Sequence, residues 1–331
     1  MRPLLHPALV NGRAGDPALY VETIFERATL LFDLGDIANL SPRKVQRIGR
    51  VFVSHTHVDH FVGFDRLLRI LVGRDKTVRL YGPEDFLAQV AHKLAAYSWN
   101  LADRYAADLV FDVTEVGADL DVRAGRLRLK TRFEIEPIAA QPIADGVLFS
   151  GRDFQVSAAV LDHGVPCLAF AVLESAHVNV WKNRLSALGL PVGPWLKTLK
   201  RALIENRDDD YPIPLGGPKA DAVARLGALR STVTVTEGQK IGYVTDVADT
   251  AENRLKIVGL VGGADLLFIE APFAAADAAL AQDRAHLTTV AAGSIAREAN
   301  VRRVEPLHFS PRYRGEEERL MAEVQAAFAG K

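Results

Sequence analysis

The run Ser54-His55-Thr56-His57-Val58-Asp59-His60 places three imidazoles and a carboxylate directly after the apolar stretch Arg50-Val51-Phe52-Val53, which reads as a strand. In extended backbone, side chains two positions apart project to one side, so His55 and His57 share a face. Asp59 and His60 follow them through the turn into the next helix. Two sets of donors can thus face two adjacent cations. Imidazoles and carboxylates suit Zn²⁺ or Mn²⁺, and a pair of such ions neutralises charge and acidifies water. The chemistry indicated is metal-assisted hydrolysis.

Nine histidines occur in the chain, and His163, His286 and His308 join the first three at places where an apolar run stops or a loop begins. His163 follows residues 156–161 and precedes Gly164-Val165-Pro166. His308 follows 304–307 and precedes Phe309-Ser310-Pro311. Asp246 ends Lys240-Ile241-Gly242-Tyr243-Val244-Thr245, with Asp249 as the nearby competitor for the same role. Singly, a histidine at a strand end is more often a hydrogen-bonded surface group, and an aspartate there caps a turn. Beside the 55–60 motif they read instead as distant members of one site. Glu270 ends the apolar run Leu266-Leu267-Phe268-Ile269, where a buried carboxylate needs a partner. His286, between Asp283 and Thr288-Thr289, reads either as a functional group or as part of a helix start.

The elements that must position these residues alternate short apolar strands with amphipathic helices. Strands are expected at 18–21, 28–33, 51–53, 78–81, 155–162, 167–173, 233–235, 240–245 and 265–270, with hairpins over 109–138. Helices are expected at 61–72, 83–97, 288–299 and 316–329. This pattern predicts an α/β protein of two mixed sheets packed together with helices outside. A chain of 331 residues with 49% hydrophobic residues buries enough surface to need no disulfide. The single Cys167 excludes an internal one, and the opening Met1-Arg2-Pro3-Leu4-Leu5-His6-Pro7 is too short and broken for a signal peptide, so a cytoplasmic protein is expected. No apolar run approaches a membrane span. A formal charge of −1 gives no global attraction to polyanions, so nucleic-acid binding would rest on local basic patches.

From about Leu30 to Tyr313 the chain resembles metallo-β-lactamase-fold hydrolases, most closely the ribonuclease Z branch that trims precursor tRNA 3′ ends. His55-Thr-His-Val-Asp-His60 is similar to the motif shared across that fold. His163-Gly-Val-Pro-Cys-Leu-Ala-Phe170, Leu307-His-Phe-Ser-Pro-Arg-Tyr313 and the pair Glu270-Ala-Pro-Phe273 with His286-Leu-Thr288 resemble segments of the branch. The resemblance implies a single four-layer αββα sandwich over 1–331. It implies that His55, His57 and His163 hold one ion, that Asp59, His60 and His308 hold the other, and that Asp246 bridges them. Two divalent cations, Zn²⁺ with Mn²⁺ as the alternative, would activate a water to attack phosphorus while Asp59 orients it. His286, held by Glu270, would protonate the departing 3′ oxygen, a role that a positioned acid makes worth about 10²–10⁴-fold. Two departures stand out. The branch's early Gly-Thr-Gly-Ser loop is replaced by Asn11-Gly12-Arg13-Ala14-Gly15-Asp16, and its Gly-Asp-Thr by Thr245-Asp246-Val247.

The segment 176–230 interrupts the alternation as an insertion. It reads either as a surface elaboration or as a substrate-binding arm, since Trp181, Trp195, Lys182, Lys197, Lys200 and Arg201 suit stacking on bases and holding phosphates. Arg312, Tyr313 and Arg314 adjoin His308 and are further substrate contacts to expect. The resulting expectation is a dinuclear metal-dependent endoribonuclease acting on precursor tRNA; by resemblance it is a homodimer. The alternative is a hydrolase of the same fold acting on a small phosphodiester, thioester or lactone.

Overall fold

The computed structural model describes residues 4–24, 28–215 and 222–330; the end of the polar stretch at 206–218 lies outside them. The chain forms two compact units. One comprises Met1–Gly151, Gln155–Val172 and Lys240–Lys331, the other Arg152–Phe154 and Leu173–Gln239.

The larger unit holds two sheets. In the first, eight strands lie side by side in chain order: Leu5–Leu9, Leu19–Thr23, Thr29–Phe32, Ile48–Phe52, Lys76–Pro83, Leu109–Val116, Val122–Arg128 and Glu136–Pro137. The four from Thr29–Phe32 to Leu109–Val116 run parallel. Thr29–Phe32 is buried on both faces, as a central parallel strand requires, whereas Leu109–Val116 largely alternates buried and half-buried positions. The second sheet has the order Val304–Leu307, Leu266–Glu270, Lys240–Val244, Pro166–Glu174, Phe154–Asp162, Val147–Ser150, its first three strands parallel.

Aromatic side chains join the sheets face to face. Phe32 and Phe52 stack at 5.0 Å, and Phe170 of the other sheet meets them at 5.6 and 5.7 Å. Helices cover the outer faces. Phe64–Leu71 buries Phe64, Leu67, Leu68 and Leu71, one stripe at helical spacing. Against the second sheet, Thr289–Glu298 lies so close to Glu317–Phe328 that a Cβ on Gly293 would fall 2.4 Å from the Val324 carbonyl oxygen. The result is an αββα sandwich.

Two differences from the expected elements have clear causes. The helix read over 61–72 is split into Val58–Phe61 and Phe64–Leu71, because Gly63 packs on the 34–35 backbone and donates to the Leu34 carbonyl at 2.8 Å. A helix at Ala251–Val261, capped by Thr250, was not anticipated: it buries Asn253 and exposes Leu255, which blurs its apolar stripe. Among the described residues no helix is long and apolar enough to cross a membrane.

The smaller unit has its own core, in which Leu185, Trp195, Leu199, Ile213 and Leu226 pack around the helix Leu196–Ile204. Two short antiparallel strand pairs complete it, His177–Val180 with Val233–Thr236 and Pro212–Pro214 with Val223–Arg225.

Candidate active site

Parallel strands deliver their carboxyl ends to one edge of a sheet, and in this molecule those ends carry the chemistry. The first sheet supplies Asp33 after Thr29–Phe32 and Ser54-His55 after Ile48–Phe52. In the second, Asp246, Glu270 and His308 end or follow three adjacent parallel strands. Asp33, Asp246 and His308 have φ of 59°, 44° and 62°. The left-handed region costs a non-glycine residue about 1–3 kcal/mol, and such strain collects where surrounding bonds enforce it for function.

Asp33 shows what enforces it. Fully buried, its carboxylate accepts hydrogen bonds from the Ser54 amide at 2.6 Å, the Ser54 hydroxyl at 2.9 Å and the Tyr243 hydroxyl at 2.8 Å, and faces His60 Nδ1 at 2.9 Å. Sequence reading took Asp33 only as a strand end and missed this role. Its signal was a carboxylate closing an otherwise apolar strand.

The side chains expected as ligands come together. His55 and His57 are 4.3 Å apart by ring centroid, and His163 lies 5.3 and 5.4 Å from them. The Asp246 carboxylate stands between two groups. Its Oδ2 is 3.6 Å from His55 Nε2 and 3.5 Å from His163 Nε2, while its Oδ1 is 3.3 Å from His60 Nε2 and 2.9 Å from His308 Nδ1. On the second side Asp59 Oδ2 lies 3.2 Å from His308 Nε2 and 3.6 Å from His60 Nε2. Donor atoms of His55, His57, His163 and Asp246 converge within 4.8 Å, as do those of Asp59, His60 and His308. Asp249, the competitor for Asp246, is instead engaged by Arg254.

The donors fit cations. His55 Nε2, His60 Nε2 and His308 Nδ1 are buried without a hydrogen-bond partner, and the short approach of His308 to Asp246 lacks hydrogen-bond alignment. Buried nitrogens pointing at a common space without bonding one another are what an ion would satisfy. The opposite ring atoms are held: His163 Nδ1 donates to the Ala285 carbonyl at 2.8 Å, and His60 Nδ1 meets Asp33, an arrangement that orients metal-binding imidazoles.

Protonation follows the same balance. Burial and then the His60 charge push His55 down to about 3. For His60 burial also disfavours charge, but the Asp246 and Asp33 carboxylates outweigh it and raise the pKa to about 10. Asp59 is lowered to about 2, chiefly by its hydrogen bond with His308. In this state protons on imidazoles balance the carboxylates, and cations would take their place.

Beside this cage lies the Glu270–His286 pair. Glu270 is fully buried; its Oε1 accepts from the amides of Val247 at 3.1 Å and Leu287 at 3.0 Å, and its Oε2 faces His286 Nδ1 at 2.8 Å. Burial opposes a charged His286, yet the Glu270 charge and hydrogen bond win and its pKa is raised. His286 packs 4.7 Å from His163 and 5.7 Å from His308 and borders a cleft of about 200 Å³ with Asp59, His308, Phe273, Asp16 and Arg284.

The residues expected to touch substrate are placed differently from one another. Tyr313 packs in the core of the second sheet, with its hydroxyl bonded to Asp277 and the Ala274 amide, and its remaining surface lines a smaller cleft beside the one that His308 borders. Arg312 is partly exposed, 3.8 Å from Asp277 and over the Phe273 ring at 6.0 Å. Arg314 is exposed beside a second, smaller cleft. Lys182, Lys197, Lys200 and Arg201 are exposed on the helices Lys182–Ala187 and Leu196–Ile204 of the smaller unit. Of the two tryptophans read there as stacking surfaces, Trp181 is 41% exposed, but Trp195 belongs to that unit's core and donates to the Pro191 carbonyl. A helix stripe of apolar residues captured it.

No protein-family model matches the chain. It is 30% identical to a ribonuclease Z of Deinococcus radiodurans, over 98% of this chain and 96% of that protein, and 33% identical to one of Thermobifida fusca, over 91% and 81%. In structure it resembles the metallo-β-lactamase-fold protein YhfI of Bacillus subtilis, with a TM-score of 0.55, 16% identity and coverage of 98% and 94%. It also resembles the short form of human tRNase Z, with a TM-score of 0.52, 18% identity and coverage of 94% and 92%. The fold is thus that of the metallo-β-lactamases, and by its full-length likeness to these relatives the chain belongs to the ribonuclease Z family.

Proposed function

We propose that this chain is an endoribonuclease that cuts precursor tRNA at its 3′ end. The observation that carries the reading is the Asp246 carboxylate, one oxygen facing His55 and His163 and the other His60 and His308, with the Glu270–His286 pair alongside. Full-length likeness to ribonuclease Z favours RNA over the alternative of a small phosphodiester, thioester or lactone.

On this reading His55, His57 and His163 would hold one divalent cation and Asp59, His60 and His308 the other, with Asp246 available to both; the chemistry of the donors admits Zn²⁺ or Mn²⁺. Such ions, when bound, neutralise phosphate charge and make water a competent nucleophile near neutral pH. The chain's own groups do the rest. Asp59, partly exposed at the cleft, orients the attacking water. His286, its Nδ1 held by Glu270 and its pKa raised, carries a proton at Nε2 for the departing 3′ oxygen. Lys182, Lys197, Lys200 and Arg201 of the smaller unit and Arg312 of the larger would hold RNA phosphates. The chain would work in the cytoplasm as a homodimer. Cleavage of precursor tRNA by the purified protein, lost in Asp59→Ala with its fold retained, tests the reading. Retained cleavage by that variant would remove Asp59 from the chemistry, and sedimentation would test the dimer.

A further inference from the structure

Arg284 was not among the residues the sequence singled out, yet it lines the cleft together with Asp59, His286 and His308. Among the described residues bordering that space, it alone is permanently cationic; Arg312 is not among them and lies 3.8 Å from Asp277. Among the described residues none forms an ion pair or side-chain hydrogen bond with its exposed guanidinium. Arginine's flat fork is suited to the paired oxygens of a phosphate.

The backbone holds it there at a cost. Arg284 closes the helix Ala278–Asp283, and the next residue, Ala285, has φ of 55°, a position usually left to glycine. The turn is tied down on both sides: the His286 amide donates to the Ala281 carbonyl at 2.9 Å, and the Ala285 carbonyl accepts from His163 of the cage. Arg284 and His286, two positions apart on one strained turn, are thereby brought to the same cleft as Asp59 and His308. The other acidic group at this edge, Asp16, accepts a hydrogen bond from the Asp36 amide at 3.2 Å and leaves the arginine unpaired.

We propose that Arg284 grips a non-scissile phosphate of the RNA next to the leaving 3′ oxygen, positioning that oxygen for His286. The charge of the reacting phosphate is met by the cage, whereas the guanidinium stands at the mouth of the cleft, where an adjoining phosphate of a chain passes. The proposal rests on the RNA-cleaving reading and names which part of the substrate this cleft recognises.

The test compares wild type, Arg284→Ala and Arg284→Lys on precursor tRNA and on bis(p-nitrophenyl) phosphate, which has one phosphate only. Arg284→Ala should lower kcat/KM on RNA at least about ten-fold more than on the small ester, as expected for a lost charge-assisted hydrogen bond. It should also reduce the salt dependence of RNA binding by about 0.7 in log–log slope, the share of one single-strand phosphate contact. Arg284→Lys should keep the slope while losing part of the rate. An Arg284→Ala enzyme with wild-type RNA kinetics and salt slope overturns the proposal, as does an equal loss on both substrates. A wild-type protein that cuts the small ester but no precursor tRNA sinks the RNA reading itself, a result separable from either.

Discussion

Glu270→Gln isolates the proton that the leaving group needs. Glutamine keeps the shape, and its oxygen still accepts from the Val247 and Leu287 amides at 3.1 and 3.0 Å, so the strand end is preserved. What disappears is the negative charge 2.8 Å from His286 Nδ1, while the burial that opposes a charged imidazole stays. A hydrogen bond to a charged group contributes about 1.5–3 kcal/mol. At about 1.4 kcal/mol per unit, that corresponds to roughly 1–2 pKa units. The sign follows directly: Glu270 raises the His286 pKa, so removing its charge lowers it, and the protonated acid is lost at a lower pH. The alkaline limb of kcat/KM for precursor tRNA should therefore move down by about 1–2 units, with a fall of about 10–100-fold on that limb. An activated aryl phosphodiester, whose leaving group needs no proton, should respond far less. The assay is the pH profile of both substrates with variant and wild type at saturating metal. Equal losses on both, with the alkaline limb unmoved, would refute the general-acid role and leave Glu270 a purely structural anchor.

Asp33→Asn should destabilise the fold by about 3–5 kcal/mol, because an amide NH₂ would face donors that now share a buried carboxylate; a urea midpoint equal to wild type would contradict the network described. Asp246→Asn should lose bound metal, read by elemental analysis after dialysis, and two ions per chain retained would show that this carboxylate is not shared between them. Loading the chelated protein with Zn²⁺ near pH 7 should release protons, since His60 is raised to about 10 in the metal-free state and must give up its proton to bind. Apparent affinity should accordingly rise with pH, and calorimetry in buffers of different ionisation enthalpy would expose an absence of proton release. Replacing Lys197, Lys200 and Arg201 together by alanine should weaken precursor tRNA binding and its salt dependence while sparing hydrolysis of a small phosphodiester; unchanged RNA binding would make the smaller unit's basic helix an ordinary solvated face.

Much of the architecture was legible because its signals are local. Alternating or continuous apolar runs announced most strands of both sheets, and the order strand, helix, strand announced layers with helices outside. The 55–60 motif was legible for the same reason: spacing of two in extended chain puts His55 and His57 on one side whatever surrounds them. Convergence was not local. His163, Asp246 and His308 are separated from that motif by a hundred residues or more, and only the parallel order of Lys240–Val244, Leu266–Glu270 and Val304–Leu307 brings Asp246, Glu270 and His308 to one edge.

Tertiary packing also decided what neighbouring positions in the chain could not. Arg312 and Tyr313 are adjacent, but one is partly exposed while the other is largely buried in a core, its hydroxyl bonded to the Ala274 amide. Trp195 looked like Trp181 in composition and is buried because Leu199 and Leu203 share its helical face. Asp33 gained its role from Tyr243, 210 positions away, and Arg284 from a strained turn fastened to His163. By itself the amino-acid order determined which residue types end which strands, since periodicity and backbone preference act over a few residues. The folded chain decided which of those ends meet and which side chains remain open to a ligand, because burial and hydrogen-bond partners are set by segments distant along the chain.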